Sequence, residues 1–169
     1  MNFCEIPITQ DFRCGLCGGR GFRSWIDLGA SPLANTYLKP EDLTREETWY
    51  PLHTYVCDNC FLVQMPSGIP PEQLFSRYPY FSSLSNSWVQ HAGHYVRKMI
   101  SRLHLKSNSF VVEVGSNDGY LLRHFMTEGI PVLGIESAQN IASEAQAAGI
   151  PTMTGFFGLD KARKLAAAG

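Results

Sequence analysis

Four of the five cysteines in this chain fall into two matched pairs, Cys14-x-x-Cys17 and Cys57-x-x-Cys60. A Cys-x-x-Cys turn sets two sulfurs on one backbone knuckle, and two knuckles complete a tetrahedron of thiolates around one zinc ion. Such a set leaves no open coordination position, so the expected metal is structural and the reaction chemistry lies elsewhere. A redox-active dithiol is the competing use of this turn, but it needs only one pair. The 39 residues between the knuckles, 18–56, form a long insertion, which is tolerated because closure entropy grows slowly with loop length. The fifth cysteine, Cys4, is expected to be a free thiol near a loose terminus.

A second group of candidates lies in Glu113-Val-Gly-Ser-Asn-Asp-Gly119. Gly115 and Gly119 permit a tight turn and close approach of a ligand to the backbone, with Asn117 between them. The spacing is Gly-x-x-x-Gly rather than Gly-x-Gly-x-x-Gly, which argues against a dinucleotide. Glu113 would repel a phosphate and suits a ligand carrying an ammonium or sulfonium group. Glu136 ends the next strand-like run, 17 residues after Gly119, where a carboxylate can accept from both hydroxyls of a ribose. Glycine turn, strand-end acid and α/β order together indicate S-adenosylmethionine binding. The plainer alternative is two ordinary strand-end carboxylates on a bare α/β sheet. A third cluster, Tyr78-Pro-Tyr80-Phe-Ser-Ser83, gathers phenols and hydroxyls that could bond a polar substrate such as a sugar. On composition alone, packing at an interdomain joint is the favoured reading of that loop. His91 and His94 read as helix-surface residues, because the four thiolates already close the metal site.

The elements that must position these groups fall into three parts. Residues 12–75, the expected zinc-binding domain, are rich in turn residues, with short strands at Ser24–Gly29, Leu52–Val56 and Phe61–Met65. A segment with so little core needs a staple, which the metal supplies. Residues 76–108 hold the tyrosine loop and a linking helix over about 82–105. Trp88, Ala92, Tyr95, Val96, Met99, Ile100 and Leu103 form its apolar face, and Ser85 or Asn86 caps its start. Residues 109–169 alternate strand and helix. Phe110–Val114 reads as a buried parallel strand, Val132–Ile135 as a second, and Pro151–Phe157 as a weak third. Three strands make half of a doubly wound sheet, so the chain is expected to be the N-terminal part of a longer protein or a truncated product.

At 169 residues the chain has room for one domain or two small ones, and its net charge of -1 and pI near 6.5 give no electrostatic footprint for nucleic acid. No apolar run approaches the roughly 20 residues that span a bilayer. Met1–Asp11 lacks the pattern of a signal peptide. With paired Cys-x-x-Cys turns, that points to a reducing cytoplasm and to metal rather than disulfides.

The motifs in order resemble the sugar-nucleotide C-methyltransferases of deoxysugar pathways. The matching stretches are Cys14-Gly-Leu-Cys17, Asp27-Leu-Gly-Ala-Ser-Pro-Leu-Ala-Asn35, Cys57-Asp-Asn-Cys60 with Leu62-Val-Gln64, Tyr78-Pro-Tyr-Phe-Ser-Ser83, and Val112-Glu-Val-Gly-Ser-Asn-Asp-Gly119. The resemblance covers nearly the whole chain from residue 13. It implies an α/β fold: a small four-cysteine zinc domain with short strands, then the first part of a Rossmann-like class I methyltransferase sheet. It also implies transfer of a methyl group from S-adenosylmethionine to a sugar carbon next to the ketone of a nucleotide-linked keto-deoxysugar. Tyr80, with Tyr78 beside it, matches the family's active-site tyrosine loop, which shifts the expectation for that loop from packing to catalysis. The family's base, a histidine with a nearby glutamate and tyrosine, lies beyond the stretch matched here. The alternatives are a zinc-containing protein-interaction module and an inactive remnant of a methyltransferase.

Overall fold

The computed structural model of the protein describes residues 2–3, 12–66 and 69–167; Cys4 lies outside the described residues. The chain forms two compact units that divide between Pro70 and Pro71. The short helix α1 (Pro71–Phe75) therefore groups with the second unit.

In the first unit, strand β1 (Asn2–Phe3) runs parallel to β3 (Thr48–Cys57), and β2 (Phe22–Ser31) runs antiparallel to it. A two-residue strand, β4 (Val63–Gln64), pairs on β3 as well. β2 and β3 are ten residues each, so they extend beyond the runs visible in the sequence. Register irregularities between Ser24 and Ile26 and between Asp27 and Ala30 explain the difference in β2. Each breaks the alternation of inward and outward side chains from which a strand is recognised. The ribbon buries little: Trp25 and Leu28 remain 62% and 72% exposed. Among the described residues of this unit, the buried apolar side chains are Cys14 and Cys57.

The second unit is layered α/β. After α1 and a short 3-10 turn (Ser82–Leu84) comes α2 (Asn86–Leu103). Ser85 caps α2 by accepting the Trp88 N–H, and His104 ends it in the left-handed region. Strands β5 (Val111–Val114), β6 (Val132–Glu136) and β7 (Thr152–Thr154) then alternate with α3 (Leu122–Thr127), α4 (Gln139–Ala147) and α5 (Leu159–Ala167). The sheet is parallel in the order β5-β6-β7, the start of a Rossmann-like sheet. Its core is Val96, Leu122, Phe125, Ile130, Val132, Ala145 and Ile150, with Val111 and Ile100 packed against it. No helix among the described residues is long and apolar enough to cross a membrane.

Two expectations need correction. β5 is buried on one face only: Val111 faces the core, whereas Val112 and Val114 are 47% and 55% exposed. The register places Val112 beside Leu133 and Val114 beside Ile135, on the face away from that core. The apolar stripe of α2 is likewise only partly used. Ala92 and Val96 are buried, but Trp88, Tyr95 and Leu103 are exposed. The helix that α2 packs against, α3, has six residues to the eighteen of α2, too short to cover the whole stripe.

Gly119 joins the turn to the core. Its φ of +74° lies in the left-handed region, and a Cβ there would collide with the side chain of Ile150. Gly119→Ala should therefore destabilise the second unit by about 2–4 kcal/mol, the sum of a strained backbone and an overpacked contact. Denaturant unfolding checks this, and unchanged stability would show that Ile150 yields freely.

Candidate functional site

The first unit carries the cysteine pairs, and the second carries the glycine turn with its acids and the tyrosine loop. In the first unit the two cysteine turns are built alike. The Gly18 N–H bonds the Cys14 carbonyl at 2.9 Å, and the Phe61 N–H bonds the Cys57 carbonyl at 3.0 Å. Gly18 and Phe61, each just after the second cysteine of its pair, both adopt positive φ, +70° and +61°. Only the first of these positions has the residue type suited to that conformation. A phenylalanine held there shows that the knuckle geometry dominates the local backbone preference.

The four sulfurs of Cys14, Cys17, Cys57 and Cys60 lie within 4.8 Å of one another. The closest approaches cross between the knuckles, Cys14–Cys60 at 3.5 Å and Cys17–Cys57 at 3.6 Å. A tetrahedral zinc with bonds of about 2.3 Å needs sulfur–sulfur edges of about 3.8 Å, so the set fits the ion. The electrostatics agree. The Cys17 N–H, helped by Gln64 and the Leu16 N–H, lowers the Cys14 thiol to about 6. At Cys60 the Leu62 N–H acts in the same direction, but burial and the three neighbouring thiols outweigh it and push the group up to about 12. Four thiolates this close require a cation to ionise together. Gln64 also accepts the Gly15 N–H at 3.0 Å, tying β4 to the first knuckle. Nothing in the sequence around Gln64 marks this role.

In the second unit, the turn after β5 brings several predicted residues around one hollow of about 220 Å³. It is lined by Phe75, Tyr78, Gly115, Asn117, Glu136 and Ser137. The space where a Gly115 Cβ would stand is open, whereas Gly119 is filled against Ile150. Glu136 ends β6 and is buried. Its Oε2 accepts the Asn117 N–H at 2.9 Å, and its Oε1 accepts the Ala138 N–H at 2.8 Å. The Ser137 Oγ–H also donates to Oε1 at 3.3 Å, so acceptor capacity beyond these bonds remains on Oε2. Glu113 is half-buried, and its Oε2 is buried without a hydrogen-bond partner. Burial, and then the charge of Glu136, push its carboxyl up to about 7. Tyr80 does not line the hollow, and its side chain is 52% exposed. His91 is exposed and stacks on Trp88 at 5.4 Å; His94 is exposed too.

The arrangement is a zinc-binding unit joined to the opening βαβ units of a parallel sheet, with an acid-flanked hollow at the ends of the first two strands. Comparison with known proteins agrees. Residues 14–75 match the family described as "Putative zinc binding domain". The chain is also similar to C-methyltransferase NovU of Streptomyces niveus, 33% identical over 160 residues, covering 95% of this chain and 37% of that protein. The chain thus spans a little over a third of the length of the curated relative it matches.

Two predictions follow from these geometries. Metal analysis of reduced protein should find one zinc per chain, and Cys57→Ser should lose the ion and unfold the first unit, read by protease sensitivity before Pro70. Less than about half an equivalent of zinc would contradict the assignment. For Glu113, the folded carboxyl is raised above its unfolded value of 4.5. The native state therefore holds the proton that the unfolded chain has released, and the stability due to this group is full below pH 4.5 and lost as pH rises towards about 7. Glu113→Gln should flatten that part of the pH–stability curve in urea unfolding. An unchanged slope would show that other groups set it.

Proposed function

We propose that the chain is the N-terminal part of an S-adenosylmethionine-dependent C-methyltransferase that acts on a nucleotide-linked keto-deoxysugar in the cytoplasm. The observation that carries this reading is the pair of carboxylates at the first two strand ends. Glu136 beside the open Gly115 backbone suits a ribose, and the unpartnered oxygen of Glu113 suits a positively charged ligand. The similarity to a C-methyltransferase points the same way.

S-adenosylmethionine would supply an activated methyl group on a sulfonium. Gly115, Asn117 and Gly119 form the turn that would hold it, Glu136 would accept from its ribose, and Glu113, behind the hollow, would offset its positive charge. A ketone next to the methylated carbon acidifies the C–H bond there. Tyr80, with Tyr78 beside it, donates a hydrogen bond to the oxygen on which negative charge develops once that proton leaves. The base belongs to the remainder of the longer protein, as does the rest of the cofactor pocket. The zinc of Cys14, Cys17, Cys57 and Cys60 is structural and takes no part in moving the methyl group. Residues 12–75 form the zinc domain in this reading, 76–108 carry the tyrosine loop and linking helix, and 109–169 open the methyltransferase domain.

The full natural protein that contains this chain should transfer a labelled methyl group from S-adenosylmethionine to one of a panel of nucleotide-linked keto-deoxysugars. Tyr80→Phe should slow transfer roughly 100-fold, the usual cost of one oxyanion donor. No transfer to any member of the panel overturns the reading, and unchanged turnover removes Tyr80 from the site.

A further inference from the structure

The loop from Tyr78 to Ser83 is held in place through its main chain, by side chains from two other elements. The Tyr78 N–H donates to Asn140 Oδ1 at 3.0 Å, and Asn140 Nδ2 donates to the Tyr78 carbonyl at 2.8 Å. This is the two-way pairing a neighbouring β-strand would offer, supplied by one amide on the first turn of α4. The Gln139 N–H adds a bond to the Ser76 carbonyl at 3.0 Å. At the other end of the loop, Asn117 Oδ1 accepts the Ser82 N–H at 2.9 Å, and Asn117 Nδ2 donates to the Tyr80 carbonyl at 3.2 Å. Asp118 Oδ2 accepts the Ser83 N–H at 3.0 Å. Asp118 and Ser82 are both buried, so the bonds at Ser82 and Ser83 are partly shielded from water, whereas the bond at Tyr80 is exposed.

Asn117 does three jobs at once. Its φ of +49° falls in the left-handed region, where asparagine is among the better-tolerated residues. Its N–H is bound to Glu136, and its side-chain amide is bound to the loop. A displacement of the turn therefore displaces Tyr80 as well.

We propose that Asn117, Asp118 and Asn140 are positioning residues that fix the Tyr78–Ser83 loop to the glycine turn and to α4, and so set where the two tyrosines stand relative to the bound methyl donor. The inference rests on the proposed function, in which the turn is the cofactor side and the loop the substrate side of one site. Asn140 isolates the effect, since its bonds to the loop reach only the main chain of Tyr78.

The test uses the full natural protein and four readouts: turnover, S-adenosylmethionine affinity by calorimetry, melting temperature, and the rate of tryptic cleavage after Arg77, which lies at the edge of the loop. Asn140→Ala should lower kcat roughly 10- to 100-fold, the scale expected when a reacting group is misplaced by about 1 Å. Cofactor affinity and melting temperature should change little, and cleavage after Arg77 should accelerate. Asn140→Asp keeps the acceptor for the Tyr78 N–H and loses the donor, so it should fall between Asn140→Ala and the parent. Turnover within about two-fold of the parent overturns the proposal, given how steeply rate depends on position. So does a loss of turnover matched by equal losses of cofactor affinity and melting temperature, which would mark a merely structural residue. If the parent transfers no methyl group, the proposed function fails, and the Arg77 cleavage rate alone still decides whether Asn140 holds the loop.

Discussion

Mutual repulsion among four crowded sulfurs is the constraint on which the first unit depends. Charges of one sign within 4.8 Å are tolerated only around a cation, and no other apolar side chain is buried among the described residues there. Metal binding and folding are therefore one event for this unit. The long β2–β3 ribbon follows from the same condition. It carries the chain from the first knuckle out and back to the second, and its side chains can stay exposed because the ends are fixed by the ion.

The second unit solves a different problem. It has a true apolar core, and its unusual feature is buried polarity at one end of the sheet. Glu113, Ser116, Asp118 and Glu136 gather where strands give way to turns. Glu136 is stabilised by backbone N–H groups, whereas Glu113 is left with a buried, unpartnered oxygen. An acid raised to about 7 is destabilising in its ionised form. Such a group gains most from a ligand that brings the opposite charge.

The sequence made the cysteine knuckles, the strand–turn–helix at Glu113–Gly119 and the acid at Glu136 legible because each is a local pattern with a local physical cause. Spacing within a turn fixes Cys14 and Cys17; a glycine-bearing turn after an apolar strand fixes Gly115. What was not legible depends on partners distant along the chain. Asn140 meets Tyr78 across 62 residues and Gln64 meets Gly15 across 49, and neither asparagine nor glutamine announces such a bond in its neighbourhood. The α2 stripe misleads for a related reason: periodicity shows which face is apolar, but the length of the opposing helix decides how much of it is covered. In β2 the bulges hide the full length of a strand of which only Ser24–Gly29 is legible.

The way the Tyr78–Ser83 loop is held has one further consequence. Every bond from Asn117, Asp118 and Asn140 to the loop ends on a main-chain atom. The latch is thus blind to the loop's side chains. Substitutions along it can alter what the surface recognises while its path stays the same. Diversification of the ligand and preservation of the scaffold are thereby assigned to different atoms of the same six residues.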